Sequence, residues 1–96
     1  MGNLRQLAQG QRCVRCGRED ETIVLCHYSG ARRLAYGGGY GIKVKDLAAA
    51  HLCADCHKQM DTLSRSKEHK WEHSEEFLHL CMLTILRLAE QGELHW

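Results

Sequence analysis

Two cysteine pairs constrain this chain more than any other feature. The sequence contains Cys13-Val14-Arg15-Cys16 and, after 36 intervening residues, Cys53-Ala54-Asp55-Cys56. Two cysteines three positions apart can bind one ion from a single turn, and two such pairs complete the tetrahedral thiolate shell that Zn²⁺ prefers. A structural zinc would also stabilise a chain of 96 residues, whose hydrophobic core is small. We therefore predict one domain over residues 1–96, with zinc bound by Cys13, Cys16, Cys53 and Cys56; iron in the same shell is the alternative.

The N-terminal residues and the hydropathy of the sequence predict that the cysteines are reduced and not paired in disulfides. Residues 1–6 lack the apolar core of a signal peptide, and no apolar run reaches membrane-spanning length. We therefore expect a cytoplasmic protein, in which paired C-x-x-C units are typical metal ligands. The segment Cys53–His57 also fits the C-x-x-C-H pattern of covalent haem attachment. That alternative requires export and leaves the first cysteine pair unexplained.

Four further elements follow from the local pattern. Residues 22–28 are β-prone and predict a strand, and residues 47–52 form a weaker candidate for its return strand. The second cysteine pair should open a helix. We place a zinc-braced core at about residues 11–65 and a C-terminal helix at about residues 70–91, with Gly92 as its terminator.

The C-terminal helix is unusually apolar. From Phe77 to Ala89, ten of 13 residues are apolar, which is too many for a single buried stripe. The helix is therefore either buried on most sides or part of an oligomer interface. Because full burial is hard to achieve in so small a domain, we predict a homodimer through this helix.

Charge is unevenly distributed although the net charge is only +1. Residues 28–45 contain four bases and no acid, a local charge of +4. A basic loop of this kind is a candidate phosphate contact. The candidate nucleic-acid-binding residues are Arg32, Arg33, Lys43 and Lys45.

Two histidines next to cysteines indicate chemistry beyond structural zinc binding. His27 ends the predicted strand, and His57 directly follows the second cysteine pair. Asp61 lies one helical turn beyond His57, on the same face. His57 and Asp61 could coordinate a second metal ion, which would leave His27 free to act as a base.

The order of these motifs resembles that of the HNH, or ββα-metal, nucleases. It runs from a C-x-x-C pair through a strand histidine and a glycine-rich loop to Asp46-Leu47 and Leu52–His57. The chain is most similar to small predicted nucleases of phages and prophages of the YbcO type. The resemblance covers most of residues 4–61, and also includes Leu4-Arg5, Gly10 and residues 41–45.

The resemblance implies a phosphodiesterase of α+β class, a zinc-stabilised ββα-metal (treble-clef-like) domain with an additional C-terminal helix. His27 would be the general base that deprotonates the attacking water, and His57 would bind the catalytic divalent ion together with Asp61. That ion would be Mg²⁺, Mn²⁺ or a second Zn²⁺. The substrate would be DNA.

Two positions depart from the family pattern. Cys26 stands where many members have a metal-binding aspartate or histidine, which either leaves the ion one ligand short or shifts its preference towards Zn²⁺ or Mn²⁺. The middle asparagine is absent, and Asp46 is the nearest candidate to orient His27. Two alternatives therefore stay open: a nucleic-acid-binding zinc module with a degenerate site, and a purely structural zinc-ribbon interaction protein.

Overall fold

The architecture is a small α+β fold. The computed structural model describes residues 4–39, 44–64 and 70–94. Within these ranges the chain forms a two-stranded sheet, one 3₁₀ helix and three α-helices. In chain order the elements are α1 (Leu4–Leu7), β1 (Val24–His27), the 3₁₀ helix (Arg33–Tyr36), β2 (Ala49–Leu52), α2 (Ala54–Ser64) and α3 (Lys70–Glu90).

The two strands are antiparallel and shorter than the sequence predicts. Val24 pairs with Leu52 at one end, and His27 pairs with Ala49 at the other. Thr22 lies outside β1 because Asp20 ties it into a turn, accepting hydrogen bonds from both its backbone N–H and its hydroxyl. The Thr22 hydroxyl oxygen also accepts from the backbone N–H of Ala54 at the start of α2. This residue therefore links the entry to β1 with the exit from β2.

Helix α3 packs against the sheet and covers its buried strand. All four residues of β2 are buried, and α3 packs mainly against this strand and against α2. Phe77 of α3 is fully buried and meets Tyr28 edge-to-face, with ring centroids 5.3 Å apart. Tyr28 in turn packs against Tyr36, so the residues after β1 are fixed to the same core.

One face of α3 is buried, but the helix is not surrounded. Leu80 is 2% exposed, whereas Met82 and Leu86 are each about half exposed. Burial on most sides is therefore excluded for this helix. Gly92 has φ of 74°, a conformation that suits glycine, and the backbone N–H groups of Gly92 and Glu93 cap the carbonyls of the last turn. None of the described helices combines the length and apolar character needed to cross a bilayer.

His51 of β2 is fully buried without a side-chain hydrogen bond. Its backbone N–H donates to the Thr84 hydroxyl, but neither ring nitrogen has a partner among the described residues. Burial, with a smaller contribution from the nearby Arg87 guanidinium, lowers the pKa of His51 from 6.5 to about 4. The folded protein therefore holds this imidazole neutral at physiological pH.

This buried imidazole makes stability depend on pH. Below pH 6.5 the unfolded chain binds a proton on His51, whereas the folded chain does so only near pH 4. The free energy of unfolding should therefore fall as the pH decreases through this window, by up to about 3 kcal/mol from this residue. Urea unfolding of the wild type and of His51→Leu across this range checks the prediction. Titration of the other groups is common to both proteins, so equal pH dependence in the two would contradict it.

Candidate active site and metal centre

The fold brings the four predicted zinc ligands together. Cys13 and Cys16 lie on the loop before β1, Cys53 follows β2, and Cys56 is in the first turn of α2. Their sulfur atoms all lie within 4.8 Å of one another, and the Cys16 and Cys53 sulfurs are 3.7 Å apart. A regular tetrahedron with Zn–S bonds of about 2.3 Å has sulfur–sulfur edges of about 3.8 Å. The cluster therefore has the dimensions of a four-thiolate zinc site.

Backbone geometry prepares this cluster for an ion. Burial acts to raise the pKa of the Cys13 thiol, but hydrogen bonds from the backbone N–H groups of Cys16, Cys53 and Arg15 outweigh it and lower that pKa to about 6. Burial, together with hydrogen bonds to its neighbouring thiols, raises the pKa of Cys56 to about 12. All four sulfurs can therefore be thiolates at neutral pH only when a cation holds them.

Arg15, within the first pair, contacts the opposite side of the cluster. Its guanidinium lies 3.6 Å from the Cys56 sulfur and donates a 2.6 Å hydrogen bond to the Gln59 side chain. A four-thiolate site with one Zn²⁺ carries a net negative charge, which this guanidinium partly offsets. Arg15 also connects the first cysteine loop directly to α2.

A second cluster lies between β1 and α2. It consists of Cys26, His57 and Asp61, whose ligand atoms all lie within 4.8 Å of one another. His57 and Asp61 are one helical turn apart, with 3.4 Å between Nε2 and Oδ2. A site with thiolate, imidazole and carboxylate ligands is expected to bind Zn²⁺ more tightly than Mg²⁺, which prefers oxygen ligands.

Cys26 is the buried member of this second cluster. Its side chain is 1% exposed, and burial, followed by the negative charges of Asp61 and Cys81, raises the pKa of its thiol to about 12. A bound divalent ion would reverse that preference, since coordination favours the thiolate. The residue therefore suits a ligand role only when the ion is present.

His27 lies beside Asp46, with 2.7 Å between Nε2 and Oδ1. The His27 side chain is largely buried, and Asp46 lies on the loop before β2. This hydrogen bond, with a smaller contribution from the Arg5 guanidinium, lowers the pKa of Asp46. An ionised Asp46 accepts a hydrogen bond from a protonated Nε2 of His27, which leaves Nδ1 as the acceptor of the neutral ring.

Arg5 is a site residue that the sequence patterns do not assign to any role. Its guanidinium lies 3.6 Å from the Asp46 carboxylate, so it forms part of the surroundings of His27. Arg5 precedes His27 by 22 positions, and no local pattern connects them. Only the packing of α1 against β1 brings this cation to the site.

The two parts of the site are joined by adjacent residues of β1. Cys26 belongs to the cluster with α2, and the next residue, His27, is hydrogen-bonded to Asp46 of the loop before β2. Their partners on β2 are Ala50 and Ala49, whose small side chains take up little space opposite the thiol and the imidazole. A candidate base and a candidate ion site therefore lie one residue apart.

The basic residues occupy the surface around the 3₁₀ helix. Arg32, Arg33 and Lys45 are exposed, and the Arg32 guanidinium lies 5.7 Å from the centre of the Trp71 ring. Lys45 immediately precedes Asp46, the residue that is hydrogen-bonded to His27. Lys43, the fourth predicted contact, lies outside the described residues.

Comparison with known proteins gives one match. The model of the family described as "Putative nuclease YbcO" matches residues 2–92. No curated protein and no solved structure matches the chain. The family model covers nearly the whole sequence, including both cysteine pairs, His27 and His57. The chain therefore belongs to the YbcO nuclease family.

Proposed function

We propose that this protein is a metal-dependent endonuclease, a hydrolase that cuts DNA phosphodiester bonds by HNH-type chemistry. The observation that carries the proposal is the adjacency on β1 of a hydrogen-bonded histidine, His27 with Asp46, and a three-residue ion cluster. A general base and a divalent ion are the two components that hydrolysis of a phosphodiester needs at one phosphorus atom.

The frame of this site supports a ββα-metal assignment. The antiparallel strands β1 and β2 are followed directly by α2, and the four-cysteine cluster clamps the loop before β1 to the junction of β2 and α2. We therefore propose that the domain is treble-clef-like. In the proposal, zinc in this cluster is structural and does not meet the substrate.

Each side chain then has a distinct task. Asp46 holds the His27 ring through Nε2, so that Nδ1 takes a proton from the attacking water. The water oxygen bonds to phosphorus as the bond to the 3′ oxygen breaks, and that oxygen takes a proton from a second water molecule, which is left as hydroxide. Cys26, His57 and Asp61 would hold the divalent ion, which supplies positive charge to the pentacoordinate phosphate and the leaving oxygen when bound.

Cys26 should determine which ion serves the site. Because a buried thiol yields its proton more readily to Zn²⁺ or Mn²⁺ than to Mg²⁺, we expect the wild type to bind Zn²⁺ most tightly at the second cluster. Cys26→Ala should weaken zinc binding there about 10- to 100-fold and leave the four-cysteine site loaded. Isothermal titration with zinc after one equivalent is bound measures this effect. Equal second-site affinity in the two proteins would show that Cys26 is not a ligand.

The exposed basic residues are the proposed contacts to the DNA backbone. They are Arg32, Arg33 and Lys45, and Lys43 is proposed with them. Contacts between these side chains and phosphates would hold the DNA without recognising its base sequence. A second copy of the chain is proposed as a partner through α3. The exposed Met82 and Leu86, rather than the buried Leu80, are the positions at which to test this homodimer. A phage or prophage origin stays an expectation from the family resemblance.

A second candidate function is a DNA-binding module with a degenerate site. It is favoured by the burial of Cys26, whose thiol stays protonated unless an ion binds, and by the absence of the HNH asparagine. The enzyme is favoured by the pairing of His27 with Asp46, which a simple binding module does not need.

Nicking of supercoiled plasmid separates the two candidates. Purified protein would be loaded with zinc and assayed with added Mg²⁺, Mn²⁺ or Zn²⁺, alongside His27→Ala. We expect conversion of supercoiled to open-circular DNA by the wild type with at least one of these ions. Retained DNA binding with no cleavage under any ion would favour the binding module.

A further inference from the structure

A pocket next to the proposed ion site has an unassigned lysine in its wall. The pocket has a volume of about 490 Å³ and is formed by the start of β1 and one side of α2. It contains His57 and Asp61 of the ion cluster, and Lys58 is its cationic residue. The remaining lining residues are Thr22, Val24, Ala54 and Thr62.

The geometry points to Lys58 as a binding residue for a backbone phosphate next to the scissile one, with the intervening sugar in this pocket. The inference rests on the proposed nuclease function and adds a substrate contact to it. It places part of the bound strand on α2, away from the basic residues around the 3₁₀ helix.

The first argument is the position of Lys58 on α2. His57 and Asp61 form one row along the helix surface, and Lys58 and Thr62 form the neighbouring row. A phosphate bound at the ion cluster would therefore have the Lys58 ammonium beside it. Lysine binds phosphate as a mobile point charge, which suits a flexible strand at a half-open pocket.

The second argument is that the Lys58 ammonium forms no ion pair with any of the residues that the structure describes. By contrast, two arginines near α2 are committed: Arg15 to Gln59 and the Cys56 sulfur, and Arg18 to Asp55 at 2.8 Å. Lys58 is also the only basic residue within α2 other than His57.

The third argument concerns the rest of the pocket wall. The Thr62 hydroxyl donates to the Lys58 carbonyl, and the Thr22 hydroxyl donates to Asp20 while accepting from Ala54. Val24 is 41% exposed at this wall. With both hydroxyls engaged, the wall offers mainly carbon surface, which fits the deoxyribose between two phosphates.

The charge balance makes the contact specific to the loaded site. Asp61 alone would repel a phosphate from this pocket, whereas a divalent ion at the cluster reverses that repulsion. Lys58 then adds a second positive charge at the neighbouring phosphate. Its effect should therefore be seen in DNA affinity and not only in the rate of cleavage.

The test is the salt dependence of DNA binding by the protein with zinc in both clusters, on a duplex with phosphorothioate linkages that resist cleavage. Fluorescence anisotropy with a labelled duplex would compare the wild type with Lys58→Gln, Lys58→Arg and Arg12→Gln. The last variant removes the same charge from an exposed residue that pairs with Glu19 outside the pocket.

Loss of one phosphate contact should reduce the slope of log affinity against log salt by about 0.9. The affinity advantage of the wild type over Lys58→Gln should accordingly shrink about threefold between about 50 and 200 mM salt. Lys58→Arg should keep the wild-type slope. A Lys58→Gln slope equal to those of the wild type and Arg12→Gln would overturn the inference.

These outcomes also separate the inference from the proposed function. A wild type that cuts DNA, with no slope change in Lys58→Gln, refutes the lysine contact and leaves the nuclease in place. If the wild type binds DNA but never cuts it, and Lys58→Gln shows the predicted reduction in slope, the nuclease is refuted and the lysine contact is supported. A wild type that does not bind DNA refutes both.

Discussion

Replacing His27 with alanine is expected to lower the rate of DNA cleavage by about 100- to 10,000-fold, the usual contribution of a general base. The side chain is only 12% exposed, but its neighbour on β2 is Ala49, so its loss should disturb packing little. The structural zinc and the affinity for DNA should therefore stay close to wild type. Initial rates of plasmid nicking, with zinc content and DNA binding measured on the same preparation, test this prediction.

His79→Ala is the matched control for that experiment. His79 lies on α3, is exposed, and belongs to neither cluster of candidate ligands. It should cut DNA at the wild-type rate. If His27→Ala also cuts at that rate, the assignment of His27 as the base is wrong. Asp46→Asn should fall between the two, because the amide still holds the ring but no longer stabilises its charged form.

The largest effect on stability is expected from Cys13→Ala. Structural zinc sites contribute on the order of 10 kcal/mol to folding, which is comparable to the total stability of a small domain. Cys13 is buried and holds the loop before β1 to the junction of β2 and α2. The variant should therefore lose its zinc and its cooperative thermal transition. Zinc content and circular dichroism on heating measure both.

Cys81→Ala provides the comparison for this variant. Cys81 is as buried as Cys13, at 4% against 2% exposure, but lies on α3 outside both clusters. Its replacement should cost about 1 kcal/mol, the typical effect of a single core substitution, with zinc retained. A Cys13→Ala protein that keeps one zinc per chain and melts like Cys81→Ala would show that the four cysteines do not hold a structural metal.

Much of the metal centre could be predicted because its signal is local. The spacing within each C-x-x-C pair determines which side chains share a turn, and the glycine after Cys16 has the positive φ that such a turn requires. Likewise, His57 and Asp61 are brought together by helical periodicity alone. These contacts need no knowledge of the rest of the fold.

Contacts made by packing could not be read from the sequence in the same way. Arg5 reaches Asp46 only because α1 packs on β1, and no spacing rule relates the two positions. The apolar content of α3 also left its orientation open. Leu80 and Leu83 look equivalent in the sequence, yet Leu80 is 2% exposed and Leu83 is 37% exposed. That difference depends on where β2 and α2 meet the helix.

The pairing of β1 with β2 decides which of two neighbouring side chains can be a base and which a ligand. A slip of one residue would remove the Cys26 thiol from the cluster with His57 and Asp61, since strand faces alternate. The connection from Tyr28 to Ala48 is too long to prevent such a slip. Hydrogen bonds beyond both strand ends hold the register instead: the Tyr28 N–H donates to the Ala48 carbonyl, and the Ala54 N–H donates to the Thr22 hydroxyl. Which side chain can act as a base and which as a ligand therefore depends on two hydrogen bonds that lie outside the strands themselves.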